Sequence, residues 1–461
     1  MSPLAGEESP KSYAAGLRTW QFCRALRSGG HEVLLVACRI PFVDDVPLDR
    51  VLERQDDALG LRRYDAPEAA LVDGSFVARV AASFRPNCVV GAHTHGSWLA
   101  ARSRPAAPLW CDLNGHLLAE AQTKAATYGT DVHLDYFWGM ETAILDAGDA
   151  FSVASGPQRY ATLGELGLRG RLNRHTVGYE LVHHLPVACF LGDGAGSAAR
   201  LRGSALPSEA FVVLWSGSYN TWTDVDTLFH GLEQAMQADS RIYFLSTGGQ
   251  VDGHDELTYP AFVRLVERSP YRDRFVLHGW VASPRLPDYY AAADLALNLD
   301  DSNVEAELGT RNRIVAWAAG GLPIATTTLC ELAADLQDRG LVYGIEPRDP
   351  GSLAGAISRA VNDPEERLAR AEAARAHVLS AFDCAAVTRP LVEWCCDPSF
   401  APDRGRARIP GLEGRSQAAG LLRFLRRTAA EASAQYRSGG LGVLARRAVR
   451  FVAQRALPRR I

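Results

Sequence analysis

Lysine is all but missing from this 461-residue chain: Lys11 and Lys124 stand alone, and arginine supplies the rest of the 49 basic side chains. With alanine also in excess, this bias reads first as base composition of the gene rather than as function. Apolar runs of roughly 18 residues, the length a membrane-spanning helix needs, are absent. The opening MSPLAGEESPKSY has neither the basic nor the apolar region of a secretory signal. The nine cysteines form no CxxC pair and no Cys/His metal spacing. An odd, scattered set in so long a chain fits a reduced, cytosolic compartment better than a disulfide framework. What is present is ordinary globular material, 47% apolar and 22% charged, enough for at least one full core and most simply two domains.

Charge is unevenly spread. Residues 401–461 hold 14 arginines against 3 acids, a net +11, which leaves −15 on the first 400 residues. So acidic a body argues against nucleic acid as a partner. The tail contains two amphipathic helical patterns, 418–430 and 441–457, whose arginine faces oppose leucine and phenylalanine. That composition suits an anionic membrane surface, with the protein cytoplasmic and peripheral on the inner face of the cell membrane. A helix pair packed on the acidic body is the alternative.

Short apolar runs alternate with helical patterns, as in parallel sheets covered by helices on both faces. HEVLLVAC (31–38), NCVVGAH (87–93), PLWCDL (108–113), FVVLW (211–215), RIYFLS (241–246), RFVLHG (274–279), LALNLD (295–300) and LPIATT (322–327) read as buried strands. A Gly/Ala/Ser-rich stretch without periodicity follows Phe190. The expected layout is therefore an α/β protein of two doubly wound Rossmann-like domains facing a cleft, 1–190 and 209–400, joined by a linker at 191–208 and ending in the basic helical tail 401–461. The first long helix, which begins near Lys11, has no apolar strand before it. Either the first sheet lacks its opening strand or the chain starts upstream of Met1.

Two segments carry chemistry. In FVVLWSGSYNTWTDVDTLFHGLEQAM (211–236) a strand ends in Gly217-Ser218-Tyr219-Asn220 ahead of a helix. Small residues before a helix N-terminus expose backbone N–H groups that can cradle a phosphate, or they form a plain βα turn. The embedded Asp224-Val225-Asp226 matches a metal-binding DxD but sits where acids cap a helix. In VEAELGTRNRIVAWAAGGLPIATT (304–327), Arg311 and Arg313 flank a helix start, where guanidinium groups suit a diphosphate or pair with Glu305 and Glu307 on a solvated face. In the first half, His93, His95, Asp112, Asn114 and His116 fall at expected strand ends on one side of the sheet. His93 and His95 alone are too few to hold a metal.

The order of these motifs resembles the retaining nucleotide-sugar glycosyltransferases of the GT-B fold, glycosyl transferases group 1, family 4-like. The resemblance rests on GHEV (30–33), HGWVASPRLPDYYAAADLALN (278–298), GTRNRI (309–314) with GGLPIATT (320–327), Glu331, and the closing helical stretch LAGAISRAVNDPEERLARAEAARAHVLSAFD. It is strongest over 211–385 and weaker over 12–190. It implies transfer of a sugar from a nucleoside-diphosphate sugar to an acceptor hydroxyl with retention, with no metal or other cofactor. The acceptor would be a glycan or lipid-linked, in surface polysaccharide or glycolipid assembly.

Carried over by position, Gly217, Ser218, Tyr219 and Asn220 would lie under the donor diphosphate. Thr247, Gly248, Gly249, Gly279 and Trp280 would approach the nucleotide, and Gly309, Thr310, Arg311 and Arg313 would surround the phosphates. Glu305 and Glu307 stand near the family's sugar-side carboxylate. His116, or Asp112 by displacement, would take the acceptor proton. The sequence departs from the family at Leu308 and Ala316, where a glutamate pair is usual, and at Ser218 and Thr223, where the family has Arg and Lys. A GT-B-like sugar-nucleotide epimerase and a non-catalytic binding module of the same fold remain alternatives.

Overall fold

A computed structural model describes residues 13–40, 48–57, 59–189 and 196–405. The amphipathic tail patterns lie outside the described residues.

In the first half, α1 (Ala14–Ser28) leads to β1 (Leu34–Arg39), then β2 (Leu52–Asp56) and β3 (Leu61–Pro67). After α2 (Glu68–Leu71) and α3 (Ser75–Phe84) come β4 (Val89–Gly91), α4 (His93–Arg102), β5 (Leu109–Leu113), α5 (Leu117–Tyr128), α6 (Val132–Ala147), β6 (Ala150–Val153), α7 (Gly156–Leu168) and β7 (Val182–His184). Strands β4-β5-β6-β7 form one parallel sheet. A second sheet has the order β1-β3-β2, with β1 parallel and β2 antiparallel to β3. The β2–β3 hairpin carries no apolar run and was invisible to periodicity. It is held by charge, because the buried Asp65 meets Arg39, Arg54 and Arg63 at 3.1–3.3 Å.

The second half runs β8 (Phe211–Ser216), α8 (Val225–Ala238), β9 (Ile242–Thr247), α9 (Thr258–Arg268), β10 (Phe275–Gly279), α10 (Leu286–Ala292), β11 (Leu295–Asn298), α11 (Val304–Leu308), α12 (Asn312–Ala319), β12 (Ile324–Thr327), α13 (Glu331–Asp338), β13 (Tyr343–Ile345), α14 (Pro350–Asn362), α15 (Pro364–Ala381) and α16 (Cys384–Cys396). All five pairings are parallel in the order β10-β9-β8-β11-β12-β13. Every residue of β8, β11 and β12 is buried, because helices cover both faces. One core, with Val212, Leu214 and Trp317, lies on one face, and another, with Val213, Trp215 and Phe262, on the other. The strand order reverses between β8 and β11, where loops leave in opposite directions and open a crevice at the carboxyl ends.

Two connections depart from a simple two-domain division. Residues 196–208 pack on the second half: Leu201 and Leu206 enter its core and Arg202 pairs with Asp294 at 2.6 Å. In the other direction, α16 returns to the first half, where Leu391 and Cys395 pack with Phe22 and Trp110. Asp403 then closes a buried pair with Arg171 at 2.7 Å.

Candidate functional site

Three strand-end turns of the six-stranded sheet meet at the crevice. Gly217 N–H donates to the Thr247 carbonyl at 3.0 Å, Tyr219 N–H to that of Gly249 at 3.2 Å, and Gly248 N–H to that of Gly279 at 2.6 Å. The backbones touch so closely that a Cβ on Gly248 would lie 2.2 Å from the Gly217 carbonyl oxygen. Trp280 closes the edge, its indole N–H donating to the Gln250 carbonyl at 2.9 Å. Tyr219 turns inward, fully buried, and bonds Ser246 at 2.7 Å, so it props the turn from beneath. Asn220 takes a hydrogen bond from Thr223 N–H through its carbonyl, and Asp224 caps α8 by accepting from Thr227 N–H at 3.0 Å. The aspartates of the DxD triplet thus belong to a helix start. Among the described residues no group of three His, Cys, Asp or Glu side chains is placed to hold a metal ion.

On the other side of the switch point, α11 and α12 are separated by a turn at Gly309–Arg311, with the second helix starting between the two arginines as expected. Asn303 caps α11, accepting from Ala306 N–H at 2.9 Å. Arg311 points inward: Nε meets Asp300 at 2.8 Å and Nη2 meets Glu305 at 2.7 Å, with all three side chains buried. Burial opposes its charge, but Asp300 and Glu305 outweigh that and hold it protonated beyond the usual arginine range. Both this arginine and Glu305 were expected to face substrate, yet the structure spends them on each other. Glu307 is exposed, and Thr310 is half-buried with its carbonyl accepting from Arg311 Nη1.

Arg313 lies in the opposite situation. Its Nη2 donates to the Ser218 carbonyl at 2.9 Å, its guanidinium lies 4.6 Å over the Trp215 ring, and its buried Nη1 has no partner. Burial pushes its pKa down to about 10. A desolvated cation with an idle donor therefore sits directly beneath the Gly217–Ser218 turn, at the start of α12.

In the first half Asp112 is fully buried at the end of β5 and accepts from Arg18 at 2.9 Å, Ser152 at 2.7 Å and the His93 N–H at 3.1 Å. His116 caps α5: Nδ1 accepts from Ala119 N–H at 3.2 Å, and Nε2 lies 3.3 Å from Glu165. Both ring nitrogens are engaged, which leaves no lone pair for an acceptor proton. His93 has the free position instead. It opens α4, two residues past β4, in a left-handed backbone, φ +62°, with a buried Nδ1 that has no partner. Burial pushes its pKa down to about 4, so the ring is neutral near pH 7. Such a strained conformation persists only where surrounding structure enforces it.

The two halves meet across this crevice. Thr123 and Thr221 share a hydrogen bond of 2.7 Å, Tyr128 accepts from Glu256 N–H at 2.9 Å, and Glu331 accepts from Gly156 N–H at 2.8 Å. Glu120 on α5 faces Glu305 and Arg311, and burial with the Glu305 charge pushes its carboxyl up to about 8. His254, held down to about 3 by burial and Lys124, lies within electrostatic reach of His93. Nothing in the sequence singled out Glu120 or His254, since an acid on a polar helix face and a histidine in a polar loop are common surface patterns.

Residues 210–363, which build the β8–β13 sheet and these turns, match the family model of glycosyl transferases group 1. Over that segment the chain is similar to this family. The arrangement of the two halves is similar to solved structures of GT-B proteins. Sucrose-phosphate synthase from Thermosynechococcus elongatus is 18% identical with a TM-score of 0.61, over 84% of this chain and 95% of that one. The trehalose-6-phosphate protein of E. coli bound with UDP-2-fluoro glucose is 10% identical at 0.61, over 85% and 98%. Anabaena HepE in complex with UDP and glucose is 15% identical at 0.59, over 85% and 98%. At these identities the likeness shows the GT-B fold. No curated protein matches the chain. In this chain, the positions where the family has a glutamate pair are occupied by the half-buried Leu308 and by Ala316 inside α12.

Proposed function

We propose that this chain transfers a sugar, with retention, from a nucleoside-diphosphate sugar held by the second half to a hydroxyl presented by the first. The observation that carries the reading is Arg313. A buried guanidinium with an unused Nη1 under a glycine turn, at the start of α12, offers a diphosphate a charge-assisted contact aligned with the helix dipole. Gly217, Ser218, Gly248 and Gly249 contribute close backbone approach, Gly279 and Trp280 border the base, and Thr247, whose Oγ1 is buried without a partner, supplies a further donor. UDP is the first nucleotide to test, because two of the similar structures hold UDP-based ligands. Asp300, Glu305 and Arg311 shape the wall beside the sugar ring. The leaving diphosphate is stabilised electrostatically, and front-face attack accounts for retention. On the acceptor side Asp112 and His116 support the wall, and His93 is the neutral ring placed to meet the hydroxyl.

A thermal-shift panel of UDP, GDP, ADP and their sugars checks this directly, since a bound ligand raises the melting temperature with ln(1 + [L]/Kd). At least one nucleoside diphosphate should stabilise the protein. Arg313→Ala should weaken that ligand more than tenfold while the unliganded melting temperature holds, because a lost charge-assisted hydrogen bond is worth about 1.5–3 kcal/mol. No stabilisation by any nucleotide would sink the reading, and an inverted product anomer would sink its stereochemistry. The acceptor is proposed to be a glycan or lipid-linked, in surface polysaccharide or glycolipid assembly, with the Arg-rich tail held on anionic lipid at the inner face of the membrane. Deleting 411–461 should abolish sedimentation with anionic vesicles at low salt and leave the melt unchanged. Loss of the cooperative melt would make the tail a structural cover instead.

A further inference from the structure

Two cysteines far apart in the chain meet where the return helix lands on the first half. Cys88 stands immediately before β4, and Cys395 lies in the last turn of α16. Both pack in the cluster that holds Phe22, Trp110 and Leu391, and both line one cavity of about 400 Å³. Their thiols are hydrogen-bonded to each other. Cys395 is buried and Cys88 only half-buried, so a small solute reaches the pair from the Cys88 side.

The two sulfurs differ in chemistry. With the Cys395 S–H as donor, the hydrogen bond holds the Cys88 thiol below the ordinary cysteine value, against a smaller opposing effect of burial. The same bond, together with burial, raises Cys395. Cys88 is therefore the nucleophile of the pair, since it is the thiolate that reacts. Cys23, Cys111 and Cys330 show the contrast: each is buried and raised by desolvation, Cys23 to about 12. Beside the pair, the exposed Cys396 has Sγ 3.7 Å from His31 Nε2. These thiols and the imidazole do not make a metal centre, because among the described residues no three such side chains are placed to hold an ion.

We propose that Cys88 and Cys395 are a reversible oxidation site that takes hydrogen peroxide as oxidant and closes to a disulfide, stapling α16 to the start of β4. The Cys88 thiolate attacks one peroxide oxygen, the O–O bond breaks, and the departing hydroxide takes up the proton that Cys88 released, which gives a sulfenic acid and water. The Cys395 sulfur then attacks the Cys88 sulfur, hydroxide leaves with the Cys395 proton, and a second water forms. Together the thiols lose two hydrogens and two electrons, and the peroxide gains them. The sulfurs close from hydrogen-bond contact to about 2.05 Å. A dithiol reverses the step, as suits a reducing compartment, where disulfides are transient. Neither cysteine belongs to the donor or acceptor chemistry proposed above, so this inference stands apart from that reading.

Peptide mapping of the full chain by mass spectrometry tests it, after reduction, peroxide treatment and alkylation of the remaining thiols. A Cys396→Ser background and cleavage after Glu393 leave Cys395 alone in its peptide. The expected product is a Cys88–Cys395 cross-link, lighter by two hydrogens and abolished by dithiothreitol. Cys395→Ser in the same background should leave Cys88 as a sulfenic acid that dimedone labels, a species that an intact pair consumes. Full alkylation of both cysteines after peroxide overturns the proposal. So does a cross-link from either one to a different cysteine, or dimedone labelling of Cys88 that is equal with and without Cys395. The cross-link map leaves the pair itself unsubstituted, so it decides the matter even where Cys395→Ser does not fold.

Discussion

Arg311 and Arg313 stand two residues apart at the start of α12 and face opposite demands. Sequence could only note two guanidinium groups near a helix start. Packing turns one toward Asp300 and Glu305, and leaves the other over Trp215 with a donor to spare. Removing Arg311 would strand two buried carboxylates, a change that typically costs about 3–5 kcal/mol. Arg311→Ala should therefore lower the melting temperature sharply by calorimetry, in contrast to the stability-neutral Arg313→Ala. If Arg311→Ala melts like the parent, the buried triad is not the constraint described. The same lesson holds for the histidines. His116 followed a strand end in the expected pattern but serves as a helix cap, whereas His93 acquires its strain and its unpartnered nitrogen only from the fold around it.

At the scale of elements, the βα turns were the most legible features, because a turn ahead of a helix needs small residues that few other contexts demand. Gly248 and Gly279 separate two reasons for a glycine. Both have positive φ, +88° and +66°, but a Cβ on Gly248 would meet the Gly217 carbonyl, while one on Gly279 meets nothing within 4 Å. Gly279→Ala should cost only the backbone penalty, about 1–2 kcal/mol. Gly248→Ala adds a clash that must separate the two turns, so it should cost more by denaturant melts and also weaken nucleotide binding. Equal costs for the two would show that the turns are not in contact. The β2–β3 hairpin and short strands β6, β7 and β13 escaped the sequence reading. The hairpin is held by arginine–aspartate pairs rather than by an apolar run.

For the molecule as a whole, the crevice gathers acids from both halves. Burial, with the charge of Glu305, raises Glu120 to about 8, and burial next to Glu165 raises Glu141 as well. Raised carboxyl values mean that the folded state binds protons the unfolded chain releases. The stability these groups contribute is complete below the unfolded value near 4.5 and is lost as pH climbs through the folded value of about 8. The melting temperature should fall between pH 5 and pH 8.5, and the double variant Glu120→Gln/Glu141→Gln should flatten that slope. A parallel slope in the variant would locate the titration elsewhere.

What the sequence determined by itself was the alternation of apolar strands with amphipathic helices, the glycine turns and the family resemblance of 211–385. Each is local, recorded in the period or the residue types of a short segment. The tertiary structure decided which charges are spent on one another and which remain available, that α16 crosses back to the first half, and that Glu120 comes within electrostatic reach of Glu305. Those outcomes depend on residues far apart in the chain being desolvated together, and no local pattern encodes how much water a side chain will lose or which partner it will find when it does.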